Sequence, residues 1–159
     1  MLYPQLLAAD FARLPEVLRN FHTTPNGGRA SGTAIVRHTN PLARFLGFPR
    51  RGENIPLHLE VQTAGDSEIW IRRFGGFTMR TIQRQDGNLL LETRGPVRIF
   101  FRIFADEKGM RFESQRTCFW IIPLPLRVEA RVRGKESSWQ IDVMVRGIGS
   151  YHGALVPVP

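Results

Sequence analysis

Ile55, Leu57, Leu59 and Val61 alternate with Pro56, His58, Glu60 and Gln62, and from here the chain keeps a period of two almost to its end. Val97, Ile99, Phe101 and Ile103 share one side of a later run, with Arg98 and Arg102 on the other. Val128, Ala130 and Val132 alternate with Glu129, Arg131 and Arg133, and Trp139, Ile141, Val143 and Val145 with Gln140 and Asp142. This period predicts half-buried antiparallel strands, apolar on one side and wet on the other. Asp86-Gly87 between two apolar runs is a hairpin signal. "DEKG" (106–109) and "GKES" (134–137) read as turns. The two prolines of "IPLPL" (122–126) forbid ladder hydrogen bonds, so that segment is expected at an edge, a crossover or a rim loop.

The N-terminal part follows another period. Leu6, Leu7, Phe11, Leu14, Val17, Leu18 and Phe21 make a helical apolar stripe over residues 4–22. Pro15 suits the first turn of a second short helix. "TTPNGG" (23–28) is a loop, a strand follows near 30–38, and "NPLARFLGF" reads as a helical turn capped by Asn40 with Pro41 first. The predicted fold is mainly β: an antiparallel meander of about nine or ten strands with short N-terminal helices. Such a meander hides its edges most cheaply by closing, here into a calycin-like barrel. A sheet wrapped round a long C-terminal helix is the alternative, but "GSYHGALVPVP" is no helix. A single domain, 1–159, is expected, with 1–22 helical and 28–159 barrel-like.

Composition narrows the function classes. The length suggests one domain, able to bury roughly 70% of its unfolded surface without a disulfide or metal staple. Cys118 is the single cysteine, which excludes a disulfide framework or a multi-cysteine zinc cluster. The N-terminus lacks a secretory pattern, and no apolar run approaches the roughly 20 residues of a membrane-spanning helix. A soluble, cytoplasmic protein is expected. The net charge of +8 raises nucleic acid or an anionic surface as partners. Arg98, Arg102, Arg111, Arg127, Arg131 and Arg133, however, are spread over alternating strand positions rather than gathered in an aromatic-laced stripe, which disfavours nucleic acid.

The most informative segment is "EIWIRRFGG", Glu68 to Gly76. Ile69, Ile71 and Arg73 fall on one side; Glu68, Trp70, Arg72 and Phe74 fall on the other. Either way a charge accompanies large apolar residues, and burying it unpaired costs several kcal/mol. Such an arginine must reach solvent at a rim, pair with Glu60 or Glu92 on another strand, or meet a polar ligand. Trp70 is expected inward, because a Trp on the wet side is the less common arrangement. Trp70 and Phe74 could then wall an apolar tail beside a cation for a carboxylate or phosphate head. Glu68, Trp70, Arg72, Arg73, Phe74, Tyr151 and His152 are the candidate ligand-binding residues, the last two marking a barrel mouth. No catalytic set emerges. His22, His38, His58 and His152 lack metal-site spacing, "FGGF" and "NGGR" lack a phosphate-loop pattern, and no serine sits in a nucleophile elbow. No cofactor is predicted.

"LYPQLLAADFARLPEVLRNFH", "ASGTAIVRHTNPLARFLGFPRRGENIPLHLEV", "EIWIRRFGG", "ETRGPVRIFFRI", "PLPL" and "YHGAL" resemble, in order and spacing, the bacterial family catalogued as domain of unknown function 4166. The resemblance spans essentially the whole chain. Family members occur alone or fused behind oxidoreductase-like domains, which implies a partner protein of that kind, and no catalytic residue carries over. "HTN" (38–40) stands where glycines are usual in the family, and His152 and Ala154 replace the common Arg and Trp. If those positions touch a ligand, the departures imply a different one here.

Three functions compete at this stage. A barrel binding a small apolar or amphipathic, possibly anionic, molecule leads. An accessory or oligomerisation domain that partners an oxidoreductase comes second, and an enzyme of undefined reaction third, so binding is favoured over catalysis.

Overall fold

A computed structural model describes residues 1–38, 40, 41, 43 and 47–159. Three short helical pieces open the chain: α1 (Leu2–Leu7), a 3-10 helix (Ala8–Arg13) and α2 (Glu16–Thr23). Pro15 precedes α2 as expected, its carbonyl accepting from the Leu18 and Arg19 amides at 3.0 and 3.1 Å. The expected helical turn at 40–48 lies partly outside the described residues; within them the Ala43 amide donates to the Asn40 carbonyl at 3.0 Å.

Eleven strands follow: β1 (Arg29–His38), β2 (Gly52–Ala64), β3 (Ser67–Phe74), β4 (Phe77–Asp86), β5 (Leu89–Arg94), β6 (Val97–Asp106), β7 (Gly109–Phe119), β8 (Ile122–Leu124), β9 (Val128–Gly134), β10 (Trp139–Val145) and β11 (Gly149–Val158). Each pairs antiparallel with its neighbours. β11 pairs back onto β1 from Arg29–Val158 to His38–Gly149, which closes ten strands into a barrel. The eleventh, β8, pairs only with Thr117–Phe119 of β7, while β9 takes Gly109–Glu113 of the same edge. The prolines of 122–126 therefore interrupt the wall at its rim, in keeping with their missing donors.

Closure follows from the alternation. Leu57, Leu59 and Val61 of β2 point inward with Ala30, Ala34 and Val36 of β1 and Val128 and Val132 of β9; all are buried in one core. Interior aliphatic and aromatic side chains each stabilise by about 2 kcal/mol when removed from water, so a closed sheet outweighs an open one with a wet apolar side.

The helices plug the end of the barrel that carries the β2–β3, β4–β5, β6–β7 and β9–β10 turns. α2 buries Val17, Leu18, Phe21 and His22, and Phe21 packs on Trp139 with ring centroids 4.8 Å apart. The chain leaves α2 through Gly27, at φ 99°, where a Cβ would lie 1.8 Å from the Val61 carbonyl oxygen. Only glycine allows the loop to pass so close over β2. No helix among the described residues is long and apolar enough to cross a membrane.

Candidate functional site

β3 alternates as the period of two demands: Glu68, Trp70, Arg72 and Phe74 are buried inside, whereas Ser67, Ile69, Ile71 and Arg73 face outward. Four of the seven candidate residues thus lie on one inner stripe, and Tyr151 of β11 joins them, its ring edge-on to Phe74 at 5.1 Å. Arg73 and His152 are brought to the outer side instead. Arg73 pairs with Glu60 at 3.2 Å, and His152 Nδ1 lies 2.6 Å from Asp142 Oδ1. Both sit one residue out of step with the inner stripe, and that alone turns them to water.

Inward charge is paired in two groups. Glu68 accepts from the Leu2 amide at 3.3 Å and from the Trp70 indole N–H at 3.1 Å, fastening α1 to the barrel floor. Burial pushes the Glu68 carboxyl above its ordinary range, and these two donors pull part of the way back. Arg72 donates to Thr81 Oγ1 at 2.9 Å and to Glu92 Oε1 at 3.2 Å. Gln83 donates to Glu92 Oε2 at 3.1 Å and accepts from the Tyr3 hydroxyl at 2.9 Å. A chain of hydrogen bonds therefore links α1 to β4, β5 and β3, and in a low-dielectric interior such a chain fixes its members firmly.

Sequence reasoning offered Glu92 as a partner but missed Tyr3, His22, Thr81 and Gln83. Thr81 and Gln83 follow the apolar Phe77 and Met79 on the same side of β4, and His22 falls four residues after Leu18 on the stripe of α2. Those spacings were the available signal. His22 stacks on Tyr3 with centroids 4.0 Å apart. Burial drives its pKa from 6.5 to about 3, so the imidazole is neutral.

Above this floor lies a cavity of about 180 Å³. Phe48, Trp70, Phe101, Phe112, Trp139 and Ile141 are among its apolar walls. Its polar corner is formed by Arg72, Glu92, Arg94 and Tyr151. Burial lowers the Arg94 pKa and the neighbouring Arg72 charge lowers it further, with Glu92 opposing. The Tyr151 phenol is also pushed up by burial, against the pull of Arg72, and its hydroxyl makes no hydrogen bond among the described residues. A larger cleft of about 580 Å³ lies between Glu113–Thr117 and Leu124–Glu129. It is a gap along the β7 edge rather than an enclosed, apolar-walled space, so the interior is the stronger site. Among the described residues no three His, Cys, Asp or Glu side chains are grouped to hold a metal ion.

These features define a closed antiparallel β-barrel, plugged by helices at one end and hollow above the plug. A family model described as Domain of unknown function (DUF4166) matches residues 14–149, and the chain belongs to that family. No curated protein and no solved structure matches it.

Proposed function

We propose that the barrel binds a small, mainly apolar molecule carrying one anionic or hydrogen-bonding end. One observation carries the reading: an apolar-walled cavity with one polar corner, where the Arg72 guanidinium, its partner Glu92 and the Tyr151 hydroxyl lie together. Arg72 holds Glu92 through one nitrogen, and the planar guanidinium keeps further N–H donors that a ligand carboxylate or phosphate could engage. The Tyr151 hydroxyl, which makes no hydrogen bond among the described residues, is available as donor to the same group. Size limits the ligand. An engineered apolar cavity of about 150 Å³ admits benzene, and drug-sized pockets start at about 300 Å³. The volume here, about 180 Å³, suits a single-ring or short-chain compound.

The test is isothermal titration of the protein with benzoate, phenylacetate, hexanoate and toluene. The acids are expected to bind, toluene more weakly, and Tyr151→Phe should weaken the acids while leaving toluene unchanged. Absence of binding by all four compounds into the millimolar range would overturn the reading.

A further inference from the structure

The two ends of the barrel differ in charge. The turns and helices of the plugged end carry Asp10, Glu16, Asp66, Asp86, Asp106, Glu107 and Glu136, all exposed, with Arg13, Arg19, Lys108 and Lys135 partly offsetting them. The other end carries Arg37, Arg50, Arg51, Arg127 and Arg146, also exposed, in or beside its connections. Two of these meet carboxylates loosely: Arg37 lies 4.0 Å from Glu53, and Arg146 lies 3.7 Å from Glu129. Among the described residues Arg50, Arg51 and Arg127 have no ion-pair partner.

At the same end of the barrel the β7–β8 tip projects three consecutive large apolar side chains. Trp120, Ile121 and Ile122 are 67%, 84% and 62% exposed. The tip is held in place rather than dangling. Its Trp120 amide donates to the Pro96 carbonyl at 2.7 Å, and the Arg98 guanidinium clamps the Trp120 carbonyl through Nε and Nη2. Trp120 sits at φ 57°, a backbone conformation that side chains other than glycine rarely adopt. An unfavourable conformation is therefore maintained at a position where the side chain stays mostly exposed.

We infer that this end of the barrel docks on an anionic lipid surface, Trp120, Ile121 and Ile122 entering the headgroup boundary while Arg50, Arg51 and Arg127 face the lipid charges. Indole rings settle at that boundary, and stable attachment takes two signals, an apolar insertion and a basic patch. Both are present at one end of the barrel. Charge complementarity separates this partner from two others. A second copy would bring like-charged rims together, and a nucleic acid would have no use for adjacent isoleucines beside a single exposed ring. The inference concerns the rim and stands whatever the cavity holds.

Vesicle co-sedimentation tests it, using phosphatidylcholine alone and phosphatidylcholine with roughly a third phosphatidylserine. The protein is expected to sediment with the anionic vesicles, at least tenfold less with the neutral ones, and less as salt rises. Trp70 and Trp139 are buried, so a blue shift of tryptophan emission on binding would report Trp120. Trp120→Ser/Ile121→Ser/Ile122→Ser should weaken binding at least tenfold. Arg50→Gln/Arg51→Gln/Arg127→Gln should weaken it about a hundredfold, at about fivefold per arginine. All six positions are exposed, and circular dichroism checks that each variant folds. The cavity-filling Ala130→Leu should bind vesicles like the unaltered protein, which separates rim from interior. Failure to bind anionic vesicles overturns the inference, as does equal binding to neutral ones. So does binding of duplex DNA or a tip-dependent dimer in place of vesicle binding.

Discussion

Arg72 Nη1 stands 3.2 Å from Glu92 Oε1, and this pair carries opposite charges onto the inner side of a largely apolar wall. Its guanidinium also lies over the Trp70 ring, 5.2 Å from the centroid. Desolvation is the largest influence and pulls the Arg72 pKa down, but the Glu92 charge, Tyr151, Tyr3 and the hydrogen bond to Glu92 together outweigh it, and the group stays charged. The interior is thus apolar in bulk and holds an ion pair at one corner.

Glu92→Gln keeps the shape of that corner and removes its anion, leaving Arg72 and Arg94 to repel each other. Removing one partner of a buried pair costs about 3–5 kcal/mol, whereas replacing both with apolar residues is often close to neutral. Glu92→Gln is expected to lose about 3 kcal/mol of unfolding free energy, and Arg72→Met/Glu92→Leu about 1 kcal/mol or less. Urea unfolding with an unchanged slope measures both. A double variant as unstable as the single one would contradict the pairing.

His22 gives the fold a pH dependence of definite sign. Its folded pKa, about 3, lies below the ordinary 6.5, so the unfolded chain binds its proton first as pH falls. The stability this group contributes is complete above pH 6.5 and drains away toward about pH 3, at no more than about 1.4 kcal/mol per pH unit. Glu68, its pKa raised by burial, acts with the opposite sign. The informative quantity is therefore the difference between the protein and His22→Phe, which keeps a ring against Tyr3. That difference should shift in favour of the variant from pH 6.5 down to pH 4; a pH-independent difference would show that His22 is not held neutral.

Much of this could be read in the chain because it depends on period alone. Alternation placed Trp70 with Arg72 and Phe74, and solvation decided which side went in. The Asp86-Gly87 hairpin and the proline-interrupted edge at 122–126 follow from local backbone chemistry. What closure alone decides was less legible. Tyr3 and Gln83 are 80 residues apart and meet at 2.9 Å only because the plug helix enters under β4. Leu91 and Phe100 pair on the outer side of β5 and β6 and are nevertheless buried. Arg116, from the next strand, stacks on Phe100 at 4.0 Å and shields it, an arrangement that no one-strand pattern contains.

Gly109 and Gly87 separate a steric cost from a conformational one. At Gly109, φ is 144° and a Cβ would sit 1.9 Å from the Val132 carbonyl oxygen, against backbone that cannot step aside. At Gly87, φ is 61° and nothing lies within 4 Å. Gly87→Ala should cost about 1–2 kcal/mol from the left-handed conformation alone. Gly109→Ala adds the clash across the β7–β9 pairing and should cost about 3 kcal/mol or more. Thermal and urea unfolding of the two variants compare them directly, and equal losses would mean that β7 and β9 do not approach so closely.

Ala130 provides the sharpest separation between fold and function. It lies on β9 between Val128 and Val132, paired to Phe112 on one side and Val143 on the other, and it lines the cavity. Leucine at this position extends into empty space rather than into packed side chains. Filling a void recovers roughly 24 cal/mol per Å³ of volume removed, while any strain in placing the side chain works against that gain. Ala130→Leu is therefore expected to unfold within about 1 kcal/mol of the unaltered protein. The same change removes space that a single-ring acid would occupy, so titration with benzoate or phenylacetate should lose its heat almost completely. A variant that stays folded and still binds these acids at full strength would place the binding site outside the barrel. A variant destabilised by several kcal/mol would instead mean that the interior around β9 is already filled.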